Sequence, residues 1–321
     1  VLAAKLKKYQ ADDTFVLKAC QLQELLDVRH SVMLLGPAGS AKTAIWKTLA
    51  AAHNLDSHSG SFGRIGLGSA DEKRSQVCVY ETVNPKAVSG DELYGYMTLS
   101  KDWKDGVLSI IMRGMSKNFA EQGFYEHQKH KWVVLDGDID AVWIESMNTV
   151  MDDNKVLTLV SNERVPLSDS MRLVFEINSL KNATPATVSR AGILYINEAD
   201  VGWKPLVQSW VQARADVNER ALLPGLFDKY VDALVEMTRR GYKEVTPMRA
   251  INKVSTLIYI LEGFLNGTSG GANGESNGDS APSPSSSSSA SPSSCVLPTD
   301  KKTPDVLELV FIYAAVWAFG G

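Results

Sequence analysis

The chain has 321 residues, of which 44% are hydrophobic and 22% charged, as in globular proteins of one large or two ordinary domains. Its 33 basic and 37 acidic residues give a net charge of −4, which argues against binding to nucleic acid or to an anionic membrane surface. Cys20, Cys78 and Cys295 are too few for a disulfide framework and too far apart for a zinc site. We therefore expect a protein of the cytoplasm, where thiols stay reduced.

The two ends of the sequence indicate a piece of a longer chain. It begins at Val1, although it contains nine methionines, and it ends at Gly321 directly after an apolar run. The first residues lack the basic and apolar sections of a signal peptide. The longest apolar run, Leu309 to Phe319, has eleven residues, whereas a membrane helix needs about 20. We expect no membrane-spanning segment.

Five short apolar runs upstream of residue 200 predict strands: VMLL (32–35), VCVYETV (77–83), WVVLD (132–136), MRLVFEIN (171–178) and GILYI (192–196). Helical stretches separate these runs. Continuous apolar strands that alternate with helices are typical of a parallel sheet covered on both faces. We therefore predict an α/β domain over residues 1–200.

Downstream of residue 200 the pattern becomes helical. Apolar residues recur there at spacings of three and four, as on one face of a helix. Four segments show this spacing: Lys204 to Arg214, Leu226 to Arg240, Met248 to Phe264 and Val306 to Phe319. We predict a small all-helical domain over residues 201–321.

Two segments are predicted to be loops. The stretch from Asn266 to Ser294 contains twelve serines, five glycines and three prolines, but no large apolar side chain. It has nothing to bury against its ordering entropy, so we predict a disordered insert over residues 266–295. The second segment, Ser57 to Ser75, contains four glycines.

A phosphate-binding loop is predicted directly after the VMLL run. The sequence continues with GPAGSAKT and then with the helical AIWKTLAAAH. Strand, glycine-containing loop, Lys-Thr and helix is the order of a P-loop, in which backbone N–H groups at a helix N-terminus surround an anion. We expect Lys42 to neutralise the β- and γ-phosphates and Thr43 to ligate Mg²⁺. The predicted binding residues of this loop are Gly36, Pro37, Ala38, Gly39, Ser40, Ala41, Lys42 and Thr43.

One position of this loop departs from the usual pattern. Ala41 stands where GxxxxGK[ST] has its second glycine. A Cβ at this point is expected to strain the backbone or to crowd the phosphates, at a cost of about 1 kcal/mol. The departure bears on affinity more than on the identity of the site.

The acidic residues that accompany the loop predict binding with little or no hydrolysis. A P-loop needs a carboxylate at the end of a neighbouring strand to hold Mg²⁺, and Asp136 ends the WVVLD run. Hydrolysing proteins of this kind have a glutamate next, which orients and activates water, but here the next residue is Gly137. Asp138 follows, and strand alternation should direct its side chain elsewhere.

Three further polar residues are candidates for such a site. Asn178 ends the MRLVFEIN run, where its amide suits either a γ-phosphate contact or a turn. Arg190 precedes the GILYI run, and Arg249 lies near the start of a predicted helix. A guanidinium presents a fork of donors that fits phosphate, although a surface arginine with no such role is the alternative at both positions.

Six stretches that together extend over nearly the whole sequence carry a family resemblance: GPAGSAKTAIWKTL, VNPKAVSGDELYGYM, DWKDGVLSIIMR, KWVVLDGDIDAVWIESMNTVMDDNKVLTL, FEINSLKNATPATVSRAGILYI and VFIYAAVWAFGG. With them, in this order, the chain resembles the second AAA+ module of a dynein heavy chain. The helix after the P-loop and the serine-rich insert are more similar to axonemal heavy chains, those of cilia and flagella, than to cytoplasmic ones.

The resemblance implies a P-loop NTPase of the AAA+ class. Its fold would be a parallel sheet sandwiched by helices and followed by a small helical lid, one of six modules linked in a ring. The implied ligand is ATP or ADP with Mg²⁺, held by the loop together with Asp136, Asn178 and Arg249. Arg190 would be an arginine finger that acts in the site of the preceding module, while the module's own site would hold nucleotide without turnover.

The resemblance also implies partners and a location. The partners would be the neighbouring AAA+ modules of the same heavy chain and, through the full protein, dynein intermediate and light chains and microtubules. The location would be the cytoplasm and cytoskeleton, in the axoneme of a cilium or flagellum. One alternative is a vestigial module that binds no nucleotide and serves ring contacts, which Ala41 favours. Another is a phosphotransferase, for which the sequence offers no recognisable acceptor pocket.

Overall fold

The chain forms two compact units in a computed structural model, one ending at Gly202 and the other beginning at Trp203. The residues that it describes are 2–56, 77–117, 129–241, 248–266 and 303–320. The predicted loop over residues 57–75 lies outside the described residues, as does the predicted insert apart from Asn266, which ends a helix.

The first unit contains nine described strands and eight described helices. The strands are β1 Ser31–Leu35, β2 Cys78–Val83, β3 Gly95–Met97, β4 Trp103–Asp105, β5 His130–Asp136, β6 Val156–Thr158, β7 Arg164–Pro166, β8 Met171–Ile177 and β9 Gly192–Tyr195. The helices are α1 Leu2–Leu6, α2 Asp13–Val28, α3 Lys42–Asp56, α4 Gly90–Tyr94, α5 Val107–Lys117, α6 Ala141–Met151, α7 Pro185–Arg190 and α8 Glu198–Val201.

The five predicted strands form a parallel sheet in the order β2-β5-β8-β1-β9. The predicted parallel α/β fold is thereby confirmed. Two antiparallel hairpins, β3 with β4 and β6 with β7, were not predicted. Each of their strands has only three residues, which is too short for an alternating pattern to stand out.

Helices bury both faces of the sheet. On one face, α2 and α3 pack against strand side chains that include Val32, Leu34 and Val134. On the other face, α5, α6 and the β6–β7 hairpin pack against Met33, Leu135 and other strand residues. Alternate residues of one strand therefore enter different cores, and this explains why the strands read as continuous apolar runs.

The second unit is helical, as predicted. Its described helices are α9 Lys204–Ala213, α10 Val217–Gly241, α11 Ala250–Asn266 and α12 Pro304–Gly320. Phe227 of α10 and Phe311 of α12 meet edge to face, with ring centroids 5.0 Å apart, and Leu257 and Leu261 of α11 join the same core. Within the described ranges, every helix is too short or too polar to cross a membrane.

Candidate functional site

The predicted phosphate loop lies at the carboxyl edge of the sheet. It connects β1 to α3, and β1 runs between β8 and β9. Asp136 is the last residue of β5, and Asn178 directly follows β8. Because parallel strands end at the same edge, the fold brings the loop, Asp136 and Asn178 to one side of the sheet.

Glycines allow the loop to pack closely against neighbouring backbone and to adopt a tight turn. The Gly36 N–H donates to the Ile177 carbonyl at 3.2 Å, and a Cβ on Gly36 would lie 2.3 Å from the Ile196 oxygen. Gly39 has φ 80°, in the left-handed region that glycine enters without steric cost. Ala41 also lies in this region, with φ 70°. The strain expected at Ala41 is therefore present in the backbone.

Lys42 begins α3 and is buried, with 8% of its surface exposed. Its Nζ donates to the carbonyl oxygens of Gly36 at 2.8 Å and Pro37 at 2.9 Å. Both bonds hold the ammonium group against the loop that it follows in the sequence. An ammonium group at a helix N-terminus adds its positive charge to that of the helix dipole, so an anion is favoured there.

Thr43 contacts a carboxylate that the sequence reasoning missed. The Thr43 hydroxyl donates to Glu176 Oε1 at 2.5 Å, and the Trp46 indole N–H donates to Glu176 Oε2 at 3.0 Å. Glu176 belongs to β8 and is 8% exposed. The signal available in the sequence was an acidic residue within the otherwise apolar MRLVFEIN run, because buried strands rarely carry an unpaired charge.

Asp136 lies beside Glu176. The two are register partners on adjacent parallel strands, so both side chains leave the sheet on the same face. Burial, followed by the charge of Glu176, raises the pKa of the Asp136 carboxyl above its ordinary value. Lys42 and Lys47 oppose this shift. A divalent cation near Asp136 would relieve the repulsion between the two carboxylates.

The residues after Asp136 are tied to the neighbouring strand. The Gly137 N–H donates to the Glu176 carbonyl at 3.1 Å, and the Asn178 N–H donates to Asp138 Oδ1 at 2.8 Å. A Cβ on Gly137 would lie 3.0 Å from Asn84 Oδ1. The position next to Asp136 is therefore crowded, and the Asp138 carboxylate is engaged with the end of β8.

Arg190 is held within its own unit. It ends α7, whose N-cap Thr184 accepts a hydrogen bond from the Thr187 N–H. Arg190 Nε pairs with the Asp152 carboxylate directly after α6, and the Thr187 hydroxyl donates to Asn148 of α6 at 3.2 Å. Two contacts thus fix α7 against α6.

Arg249 belongs to the second unit. Its carbonyl oxygen accepts from the Asn252 N–H at 3.0 Å and from the Lys253 N–H at 3.2 Å. Both bonds make it the residue from which α11 starts. Its role toward a phosphate stays a prediction.

The residue types at the loop fit phosphate and Mg²⁺. Mg²⁺ prefers oxygen ligands in proteins, and the Thr43 hydroxyl and Asp136 carboxylate are donors of this kind. The N-terminus of α3 and Lys42 supply positive charge for phosphate oxygens. A loop of this build is shared by P-loop proteins of many activities, so the family has to come from the rest of the chain.

Comparison with known families decides this point. Residues 31–191 match the family described as AAA domain (dynein-related subfamily). The chain belongs to the dynein-related AAA family. Residues 223–321 match the dynein heavy chain AAA lid domain, so this AAA module carries a dynein-type lid. The predicted AAA+ fold with a helical lid is confirmed.

Dynein heavy chains are among the curated relatives of this AAA module. It is 46% identical over 314 residues to the dynein beta chain of the flagellar outer arm of Chlamydomonas reinhardtii, and 45% identical over 315 residues to the ciliary dynein beta chain of Tripneustes gratilla. It is 44% identical over 321 residues to human dynein axonemal heavy chain 17. Each match covers 98% of this chain but 6% of the relative. The expected similarity to axonemal heavy chains is confirmed.

Proposed function

We propose that this AAA module binds Mg-ATP or Mg-ADP and hydrolyses it little or not at all. The observation that carries the proposal is the grouping of Lys42, Thr43 and Asp136 at the carboxyl edge of β1, β8 and β5. Phosphate charge would meet Lys42 and the first N–H groups of α3, and Mg²⁺ would take Thr43 and Asp136 as ligands. Asn178 and Arg249 are the further proposed nucleotide contacts.

The proposal of slow hydrolysis is supported by what surrounds Asp136. The residue that follows is Gly137, which has no side chain to activate water. Asp138 accepts the Asn178 N–H, so its carboxylate already has a partner at the strand end. In the proposed function the bound nucleotide therefore acts as a regulatory and structural ligand of the ring.

The wider setting proposed is a microtubule motor of the axoneme. In it the module is the second in a dynein heavy-chain ring, and Arg190 acts as an arginine finger in the site of the preceding module. Its partners are the neighbouring modules and, through the full protein, dynein intermediate and light chains and microtubules. The similarity to ciliary and flagellar heavy chains supports this setting.

The binding step is tested by isothermal titration of the 321-residue chain with Mg-ATP and Mg-ADP, together with a phosphate-release assay. We expect saturable binding and negligible phosphate release. Lys42→Ala should weaken binding at least tenfold, whereas Lys104→Ala, at an exposed position of β4, should leave it unchanged. Rapid release of phosphate by the isolated chain would contradict the argument from Gly137.

A second candidate function is a structural module that binds no nucleotide and serves contacts within the ring. Ala41 favours it, because a Cβ at this point of the loop would crowd bound phosphate, where glycine allows a close approach of the backbone. Thermal unfolding separates the two functions. A ligand at 100 times its dissociation constant adds about 2.7 kcal/mol of stability. An unchanged melting temperature at millimolar Mg-nucleotide would therefore support the second candidate.

A further inference from the structure

Glu176 is a buried carboxylate that lies against the helix of the phosphate loop. Its two oxygens accept hydrogen bonds from Thr43 and Trp46, both of α3. In the sheet, its register partners are Leu34 of β1 and Asp136 of β5. Glu176 therefore stands between the strand that leads into the loop and the strand that ends in the proposed Mg²⁺ ligand.

These contacts argue against a role for Glu176 as a general base. A general base has to face the attacking water and take its proton, whereas the two oxygens of Glu176 face Thr43 and Trp46 of α3. The side chain is also 8% exposed. The available role is exerted through Thr43, whose hydroxyl is its closest partner at 2.5 Å.

We propose that Glu176 is a positioning residue for the divalent cation of this site. A hydroxyl has one proton to donate and two lone pairs to offer. Because the Thr43 proton is committed to Glu176, the lone pairs of the Thr43 oxygen are left for a cation. Partners of this kind, which hydrogen-bond a metal ligand, fix its orientation. The inference rests on the proposed function, since it concerns the same nucleotide site.

Charge adds a second contribution. Asp136 and Glu176 place two carboxylates on one face of adjacent strands, where like charges repel each other. A divalent cation bound near Asp136 lowers this repulsion, so the cation is bound more tightly than by Asp136 alone. The second acid of the cation site thus comes from β8, whereas the residue that follows the end of β5 is Gly137.

The test is the effect of Mg²⁺ on nucleotide affinity in the 321-residue chain. ADP is titrated in millimolar Mg²⁺ and again in excess chelator. The ratio of the two dissociation constants, called the Mg²⁺ enhancement, is the readout. Glu176→Gln keeps the size of the side chain and removes its charge. We expect it to reduce the Mg²⁺ enhancement about 10-fold or more, with little change in affinity in chelator.

Three further variants separate positioning from a structural role. In a Thr43→Ala background, Glu176→Gln should have little further effect, because the residue through which it acts is gone. Trp46→Phe removes the other donor to Glu176, and it should lower the melting temperature while retaining the Mg²⁺ enhancement. If Glu176→Gln does not fold, Glu176→Asp withdraws the carboxylate from Thr43 and should show the same loss of enhancement.

The outcomes distinguish the two proposals. Binding with an undiminished Mg²⁺ enhancement in both Glu176 variants would overturn the positioning role and leave the proposed nucleotide binding intact. Absence of ADP binding by the unmodified chain, with or without Mg²⁺, would overturn both. A Mg²⁺ enhancement that falls in Trp46→Phe as far as in Glu176→Gln would show that Glu176 only anchors the core.

Discussion

Arg190 and Asp152 form an ion pair that joins the last residue of α7 to the residue after α6. Both side chains are partly exposed, 28% for Arg190 and 35% for Asp152. A pair this accessible contributes little net stability. It therefore orients the guanidinium, but breaking the pair costs little free energy. In the proposed ring, such an arginine would be available to a phosphate of the preceding module once Asp152 releases it.

The first prediction concerns Arg190 in the full heavy chain. Arg190→Ala should reduce ATP turnover at the preceding module's site by about 10³-fold or more, as loss of an arginine finger does. Nucleotide binding by this module should stay intact. Steady-state ATPase measurements on the assembled ring, with nucleotide titration of the 321-residue chain, check both parts.

Asp152→Asn is the matched control for this prediction. It removes the charge that holds Arg190 but leaves the guanidinium, so turnover should fall far less than in Arg190→Ala. Equal losses in the two variants would point to a role in docking α7 on α6. Unchanged turnover in Arg190→Ala would count against the finger.

The second prediction concerns the strained loop. A non-glycine residue in the left-handed region costs about 1–2 kcal/mol. Glycine removes this strain but raises the conformational entropy of the unfolded chain, which offsets part of the gain in stability. Ala41→Gly should therefore stabilise the chain by about 0.5–1 kcal/mol. It should also bind Mg-nucleotide more tightly, because it removes the Cβ where the loop approaches the phosphates. Thermal unfolding and titration measure the two effects.

Ala38→Gly serves as the control in the same loop. Ala38 is exposed and does not have a positive φ, so glycine there should be neutral or destabilising. A stabilisation of the same size in both variants would mean that general loop flexibility, and not the backbone of Ala41, accounts for the gain.

The third prediction concerns the loss of stability at acid pH. His130 stacks on His53 with ring centroids 4.1 Å apart, and its pKa is lowered to about 4 by burial, by the His53 charge and by Arg172. Lys129 lowers the pKa further and Asp27 opposes the shift. His130 binds a proton less readily in the native state than in the unfolded chain. Its contribution to the free energy of unfolding should therefore be constant above pH 6.5 and fall from there toward pH 4.

Urea unfolding at a series of pH values checks this prediction. One such group changes stability by at most about 1.4 kcal/mol per pH unit, and solvent screening of the half-buried ring reduces this figure. His130→Phe keeps a ring in the stack and should flatten the profile. Burial lowers the pKa of His30 as well, so a smaller dependence should persist in the variant. An unchanged profile in His130→Phe would contradict the assignment.

The fourth prediction concerns Arg113 of α5. Its guanidinium makes two bonds of 2.8 Å to Asp105 of β4 and bonds of 2.9 and 2.7 Å to Glu163 between β6 and β7. The hydrogen bonds from Arg113, and after them the one from the Trp103 indole, hold the pKa of Asp105 below its ordinary value. Lysine lacks the fork that spans both carboxylates. Arg113→Lys should therefore cost about 1–3 kcal/mol in urea unfolding at neutral pH.

The pH dependence of this loss provides a further check. Asp105 contributes its stability above its ordinary pKa and loses it as the pH falls below, so the difference between Arg113→Lys and the unmodified chain should shrink in acid. Arg164→Lys, at an exposed position of β7, is the control and should change stability by less than about 0.5 kcal/mol. An equal loss in both variants would contradict the prediction.

Local sequence was sufficient to predict the strands of the parallel sheet and the helical second unit. The strands before residue 200 are apolar throughout, since α2 and α3 cover one face of the sheet and α5 and α6 the other. The phosphate loop could be proposed because its residues are consecutive, and Asp136 because it ends an apolar run; both assignments stay predictions. In each case the pattern lies within a few residues of the chain, where spacing reports structure directly.

The three-residue hairpins, the left-handed backbone of Ala41 and the partners of Thr43 and Arg190 were decided by tertiary structure. Glu176 lies 133 positions from Thr43 and Asp152 lies 38 from Arg190. Which carboxylate meets which donor depends on strand order and register, because these bring distant segments to the same edge of the sheet. The sequence by itself determined the fold class and the loop, whereas the register of β8 between β1 and β5 determined that Glu176 reaches the loop.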